Sequence, residues 1–370
     1  MLEYWIALSI VKNIGLSVKH ELLKKLRSPD KIFDEKIKKS DFARMKGDID
    51  LKTVKDECLN AAENIIRQCK KENAEIICFD DANYPKLLKE ISTAPLVLYC
   101  KGDKNVLSQK CVAIVGTREP NDNGVKDTKM LSAGLAKTGL VIVSGLARGV
   151  DTFAHDSAVE TGGKTVAVMA TGINKIHPIQ NIGLAKKIAN GGGILITEQP
   201  PDEMPFAPNF VQRNRIISGV CECTIIVSAP EKSGALITGD FAERHGRKVL
   251  VVPGTISDEK YKGSNKLLLK KNVDPALALD GILSYLNGVK AVQQIEIFDI
   301  PDKIPVKKLE VSPTQERIIS LLESEPSSVQ DLSEKSEMDI GEIYDALLDL
   351  EIRGIISQTA DGRYFVLSAK

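Results

Sequence analysis

Six short apolar runs, Cys111–Val115, Leu140–Val143, Thr165–Met169, Ile194–Thr197, Thr224–Val227 and Val249–Val252, recur between segments of helical period. Nearly every position within a run is apolar, so a strand formed there is buried on both faces. The intervening stretches Lys126–Lys137, Asp151–Thr161, Ile182–Ala189 and Ala235–His245 are long and amphipathic enough to cross between such strands. Strand–helix alternation with doubly buried strands predicts a parallel sheet wrapped by helices, with ligands received outside the carboxyl ends of the strands.

Around this α/β region, residues 75–288, the chain changes character. Residues 1–72 read as short helices broken at Asn13-Ile14-Gly15, Ser28-Pro29-Asp30 and Lys46-Gly47-Asp48. Residues 289–311 lose periodicity and carry Pro301, Pro305 and several lysines, as a linker does. Ser312-Pro313-Thr314-Gln315-Glu316 then opens a helix with a cap, a proline and an acidic first turn. Helices near 313–323, 328–335 and 339–353, followed by a hairpin over Ile355–Gln358 and Tyr364–Leu367, predict a winged helix over 312–370.

The 50 basic and 50 acidic residues balance, which excludes a protein that coats DNA through net charge. The balance is uneven along the chain. Residues 1–70 carry 15 basic against 11 acidic side chains, whereas residues 312–370 carry 5 against 12. The expected third helix of the winged module holds Asp339, Glu342, Asp345, Asp349 and Glu351 against Arg353. A helix so charged repels phosphate, so this module is expected to meet protein rather than duplex DNA. The seven cysteines are odd in number and lack a CxxC pair, and Cys221 and Cys223 read as part of a buried strand. No apolar stretch approaches the roughly 18 residues of a membrane span. A cytoplasmic protein without metal or cofactor is expected.

The loops that leave the strands carry the chemistry. Val112–Val115 runs into Gly116-Thr117-Arg118, the next strand into Ser144-Gly145-Leu146-Ala147-Arg148-Gly149, and the third into Thr171-Gly172 with Lys175 beyond. Turn amides at a helix start form an anion site, and Arg118 and Lys175 add charge. A dinucleotide fingerprint would need GxGxxG, but Gly116 is followed by Thr-Arg-Glu-Pro; a GxxxxGK[ST] loop is also absent. Further on, Phe210-Val211-Gln212-Arg213-Asn214-Arg215 combines a ring on which an unpaired base could stack with two guanidinium forks suited to phosphate. From the residues alone, structural ion pairs with Phe210 in the core account for this run equally well. Asp151 is expected to cap a helix with His155 packed beneath it, and no nucleophile–base arrangement is found.

In this order Ala113–Arg118, Ser144–Ala147, Gly149-Val150-Asp151 with Ala154-His155, Arg213–Ile217, Ser233–Thr238 and Val252-Pro253-Gly254 resemble the DNA-processing protein A (DprA/Smf) family. The resemblance is strong over about 77–275. It implies an extended Rossmann-like sheet, with a SAM-like helical domain before it and a winged helix after it. It further implies a non-enzymatic protein that binds single-stranded DNA without sequence preference and loads a RecA-type recombinase during natural transformation and recombination. A homodimer and a single-strand-binding protein as a further partner come with it. The DNA-binding residues so implied or read are Gly116, Thr117, Arg118, Ser144, Gly145, Lys175, Phe210, Arg213, Asn214, Arg215, Ser233 and Gly234. The chain departs from the family in having His177-Pro178 for Tyr-Pro. Apolar residues over 204–209 also stand where a lysine is sometimes present, which would weaken phosphate contact. The alternative is a nucleotide or phosphoribosyl hydrolase on a related sheet, but the Pro-Gly-Gly-x-Gly-Thr run and glutamate of those enzymes are replaced by Ser233-Gly234-Ala235-Leu236-Ile237-Thr238.

Overall fold

The computed structural model describes residues 1–42, 48–286, 312–336, 338–352, 355–359 and 363–366. The expected linker 289–311 and the Asp361-Gly362 turn lie outside them, as does Arg353. The chain divides into two compact units, the first reaching residue 295 and the second holding the winged helix.

The first unit is organised by a nine-stranded sheet. Its strands are β1 (Glu75–Cys78), β2 (Val97–Gly102), β3 (Cys111–Val115), β4 (Val141–Ser144), β5 (Thr165–Val168), β6 (Ile194–Thr197), β7 (Cys223–Ile226), β8 (Lys248–Val251) and β9 (Val273–Pro275). Their spatial order is β9-β8-β7-β3-β4-β5-β6-β2-β1. The pairs from β9 to β6 are parallel, and β2 and β1 add antiparallel at one edge. The six apolar runs all became central strands. The segments that form β1, β2 and β9 were not expected as strands; β1 and β9 are short and partly polar, while Val97–Cys100 of β2 is apolar throughout but stands outside the strand–helix alternation. Val273 of β9 pairs with Val249 of β8 and places β9 at the other edge of the sheet.

Alternation along each strand divides the core between the two faces. Ala113, Val115 and Val143 pack with Ile216, Ile217, Ala235 and Ala242 on one face. Val112, Ile114 and Ile142 pack with Leu131, Leu135, Ala154 and Ala158 on the other. These residues bring in α4 (Asp122–Lys137), α5 (Val150–Glu160), α7 (Ala207–Gly219) and α8 (Gly234–Arg244), while α6 (Ile182–Asn190) packs through Leu184 and Ile188. Before them come α1 (Leu2–Ile10), α2 (Leu16–Leu26) and α3 (Lys55–Lys71). Trp5, Ile6 and Leu8 of α1 share a core with Tyr99, Leu195, Leu184 and Ile188, so the N-terminal helices are welded to the sheet.

The second unit has α9 (Pro313–Ser324), α10 (Val329–Ser336), α11 (Ile340–Ile352) and a hairpin of β10 (Ile356–Gln358) and β11 (Tyr364–Val366). Ser312 and Gln315 form the capping box that the sequence announced. Ile318, Leu332, Ile343, Leu347 and Ile356 form its core. Among the described residues, no helix is long and apolar enough to cross a membrane.

One polar contact inside the N-terminal helices has a measurable consequence. The buried Lys19 ammonium donates to the carbonyls of Ser9 and Val11, both at 2.9 Å, and closes the end of α1. Burial pushes its pKa down from 10.5 to about 8. Below pH 8 folded and unfolded chains both hold this proton; between about 8 and 10.5 only the unfolded chain does. Lys19 therefore makes stability rise with pH across that window. The unfolding free energy of wild type minus that of Lys19→Met should grow from pH 8 to 10.5 in urea titrations; a flat difference contradicts the burial of the charge.

Candidate nucleic-acid interface

A cavity of about 620 Å³ opens at the carboxyl ends of the central strands, where a doubly wound sheet receives ligands. Gly116, Thr117 and Arg118 after β3, Ala147 after β4, and Lys232 through Ala235 at the start of α8 bound it on three sides. Phe210, Val211 and Arg213 of α7 and the His177 ring complete the wall.

Much of the polar equipment expected to face a ligand is committed to the protein. The Thr117 amide donates to Ser228 O at 2.7 Å. Ser144 is buried, with its hydroxyl donating to Ile114 O at 2.6 Å. The amides of Gly145 and Ala147 donate to Asp151 Oδ2 at 3.0 and 3.4 Å. A carboxylate of the chain's own thus fills the second glycine loop, so Ser144 and Gly145 lie under the floor of the cavity rather than in it. Asp151 consequently does not cap its helix; α5 starts after Gly149 without a side-chain cap. Lys175 is absent from the cavity wall and pairs with Asp202 at 3.8 Å.

The two arginines that the sequence offered for phosphate are both inside, 5 % exposed each. Arg213 Nη1 donates to Gly145 O at 2.5 Å and also to Val168 O, and Nε donates to Asn214 Oδ1 at 3.2 Å. Asn214 in turn donates to Gly234 O at 3.2 Å. One buried guanidinium thereby ties the ends of β4 and β5 to α7, and through Asn214 to the start of α8. Burial pushes the Arg213 pKa down to about 10, with Asp151 opposing the shift and Arg118 adding to it. The Asp151 carboxyl is pushed up by burial, while Arg213 and the loop hydrogen bonds pull it down. Arg215 Nη2 meets Glu198 Oε2 at 2.5 Å, both side chains largely buried. The physical reason is depth: every position of α7 from Arg213 to Gly219 is buried, so this half of the helix is covered on all sides. The residue types alone cannot show that this half of the helix is covered.

The groups left facing the cavity are Arg118 and Lys232, both exposed, and half-buried Phe210. Phe210 meets the His177 ring edge-on, with centroids 5.5 Å apart and planes at 72°. The Ser233 hydroxyl accepts from Ala235 N at 3.2 Å, which starts α8 at the cavity and aims its dipole there together with the backbone of Gly234. Lys232 was passed over in the sequence; its place immediately before a helix cap was the available signal. His155 lies beneath the floor with Nδ1 2.7 Å from Thr165 Oγ1. Burial and the Arg213 charge push its pKa to about 3, which keeps the imidazole neutral. Among the described residues no group of three or more His, Cys, Asp or Glu could hold a metal ion.

The arrangement offers two cations without an ion pair among the described residues, a helix start and a ring around a cavity wide enough for one nucleotide unit. Beneath it, a Cβ added at Gly145 would lie 2.6 Å from Arg213 Cζ. Gly145→Ala should therefore lower stability by about 1–3 kcal/mol, read as a fall in Tm. An unchanged Tm would mean that the guanidinium is not clamped as described.

Comparison with known proteins identifies the relatives of the chain. The sequence model described as DNA recombination-mediator protein A matches residues 75–287, and that of the DprA winged helix domain matches 305–362. Protein Smf of Synechocystis is 30% identical over 98% of both chains. DNA processing protein DprA of Bacillus subtilis is 38% identical over 55% of this chain and 69% of its own. Among solved structures, DNA processing protein A of Helicobacter pylori, described for its single-stranded DNA binding mode, has 30% identity and a TM-score of 0.53, covering 58% of this chain and 95% of that one. That of Streptococcus pneumoniae has 30% identity and a TM-score of 0.58 over 76% and 92%.

Proposed function

Because the chain belongs to the DNA recombination-mediator protein A family, we propose that it binds single-stranded DNA without sequence preference and hands the strand to a RecA-type recombinase. The observation that carries this reading is the pairing of Arg118 and Lys232 with the Phe210 ring across one cavity. Cations that neutralise phosphates and a ring that takes any base bind strands irrespective of sequence. The sequence-chosen residues divide accordingly. Arg118, Phe210, Ser233 and Gly234, with the Gly116-Thr117 turn, would touch the strand. Ser144, Gly145, Arg213, Asn214 and Arg215 would hold the cavity in shape. Lys175 would bear on the strand only beyond the cavity.

The hydrolase alternative finds less support. Of the titratable side chains at the cavity, Asp151 is tied to loop amides and His177 packs edge-on against the Phe210 ring, while His155 is buried beneath the floor. A cytoplasmic, non-enzymatic role accords with this. A homodimer is part of the proposal, and the free edge strand β9, flanked by Leu269 (86 % exposed) and Leu277 (78 % exposed), suits such a contact. A recombinase and a single-strand-binding protein remain the proposed partners. The winged helix exposes Asp339, Glu342 and Glu351 on α11 and around its start, which favours a protein partner over duplex DNA for that module.

Fluorescence anisotropy of labelled oligo-dT across a salt series tests the reading. Arg118→Ala and Phe210→Ala should each weaken binding, the latter by about 1–3 kcal/mol, with Tm unchanged. Arg215→Ala should instead lower stability by about 3–5 kcal/mol, because it leaves Glu198 buried without its partner. No binding by wild type at low salt would overturn the proposal. In a second arm, the chain lacking 312–370 should bind oligo-dT as tightly as the full chain or tighter; a large loss would show that the acidic module contributes to DNA binding.

A further inference from the structure

The loop after β4 presents an arginine that neither the sequence reading nor the cavity wall accounts for. Arg148 is exposed and has no hydrogen bond or ion pair among the described residues. The acid nearest to it in sequence, Asp151, is turned inward onto the amides of Gly145 and Ala147. An exposed arginine on a loose loop would be unremarked, but this loop is held on every side. Leu146, fully buried, anchors it with a left-handed φ of 57°, a conformation that non-glycine residues keep only where their surroundings enforce it. Asn181 Nδ2 donates to Leu146 O at 2.8 Å, and Thr152 Oγ1 to Ala147 O at 2.7 Å. Gly149 takes a φ of 77° and passes so close to the next loop that a Cβ would lie 2.5 Å from the Arg118 carbonyl carbon. Val150 N reaches Thr117 O at 3.2 Å.

Buried Leu146 and exposed Arg148 thus face opposite ways on a fixed loop. That loop abuts the backbone of Arg118, at the ends of two neighbouring parallel strands. Two unpaired guanidinium groups stand on adjoining loops beside the cavity, Arg118 at its wall and Arg148 beyond it. Rigid presentation limits the side-chain freedom lost when phosphate is gripped, and a guanidinium takes two phosphate oxygens at once.

We propose that Arg148 is a strand-gripping residue of this chain, forming with Arg118 a two-arginine track for the phosphates that follow the nucleotide seated in the cavity. The assignment rests on the reading of the cavity as a single-strand site. It gives the bound strand a direction of exit, over the start of α5 rather than past Lys232.

The full chain is titrated by anisotropy with two labelled oligo-dT probes, one of about four nucleotides, filling little more than the cavity, and one of about twenty. Arg148→Ala should weaken the long probe several-fold, leave the short one unchanged and reduce the slope of log K against log salt for the long probe by about 0.7. Arg148→Lys should restore that slope, and Arg118→Ala should weaken both probes. Thermal unfolding of Arg148→Ala should match wild type, since the side chain is exposed. Wild-type affinity and slope for both probes in Arg148→Ala overturn the assignment alone, as does an equal loss with both. Failure of the wild-type chain to bind either probe overturns it together with the single-strand reading.

Discussion

A guanidinium buried under the carboxyl ends of two central strands holds this site together. Arg213 reaches from α7 to the carbonyls of Gly145 and Val168, with the Asp151 carboxylate nearby. Taking such a charge out of water is costly unless its partners are in place. The loops after β4 and β5 and the helix α7 are thereby constrained to one mutual arrangement. Asn214 extends the constraint to Gly234 and so to the start of α8. The cavity is what remains above this network, and its shape follows from the hydrogen bonds below it.

The division between buried and exposed arginines follows from the same physics. Arg213 and Arg215 meet acceptors inside the protein, Gly145 and Val168 carbonyls for one and Glu198 for the other. Among the described residues Arg118 and Arg148 have no such acceptors, and each sits on a turn whose backbone is pinned. A cation that the fold leaves unpaired on a rigid turn is available to an external anion; one already paired would have to break its contacts first. The chain's neutral average charge conceals this local imbalance. Asp151 sharpens it by occupying amides that would otherwise attract phosphate deeper in the floor.

The central sheet was legible because strands buried on both faces must be apolar throughout, as in Val112–Val115 and Ile194–Ile196. The antiparallel edge was not, although Val97–Cys100 is apolar and buried throughout, because it stands outside the strand–helix alternation and pairs with Ile194–Thr197, distant in sequence. At the site, Arg118 and Phe210 could be selected from loop position and side-chain type. Arg213 could not be separated from them, because its role is set by how deeply its half of α7 is buried. Lys232 and Arg148 were hidden for the opposite reason: a single basic residue in a turn is a weak pattern, marked for Lys232 only by the helix cap that follows it and for Arg148 only by how rigidly its loop is held.

Hydrogen–deuterium exchange of the full chain with and without a saturating oligo-dT tests most directly whether the cavity is the strand site. The account predicts slowed exchange in peptides spanning 116–119 and 232–236, with the winged helix unchanged. Protection confined to the winged helix, with both cavity segments exchanging as in the free protein, would contradict it.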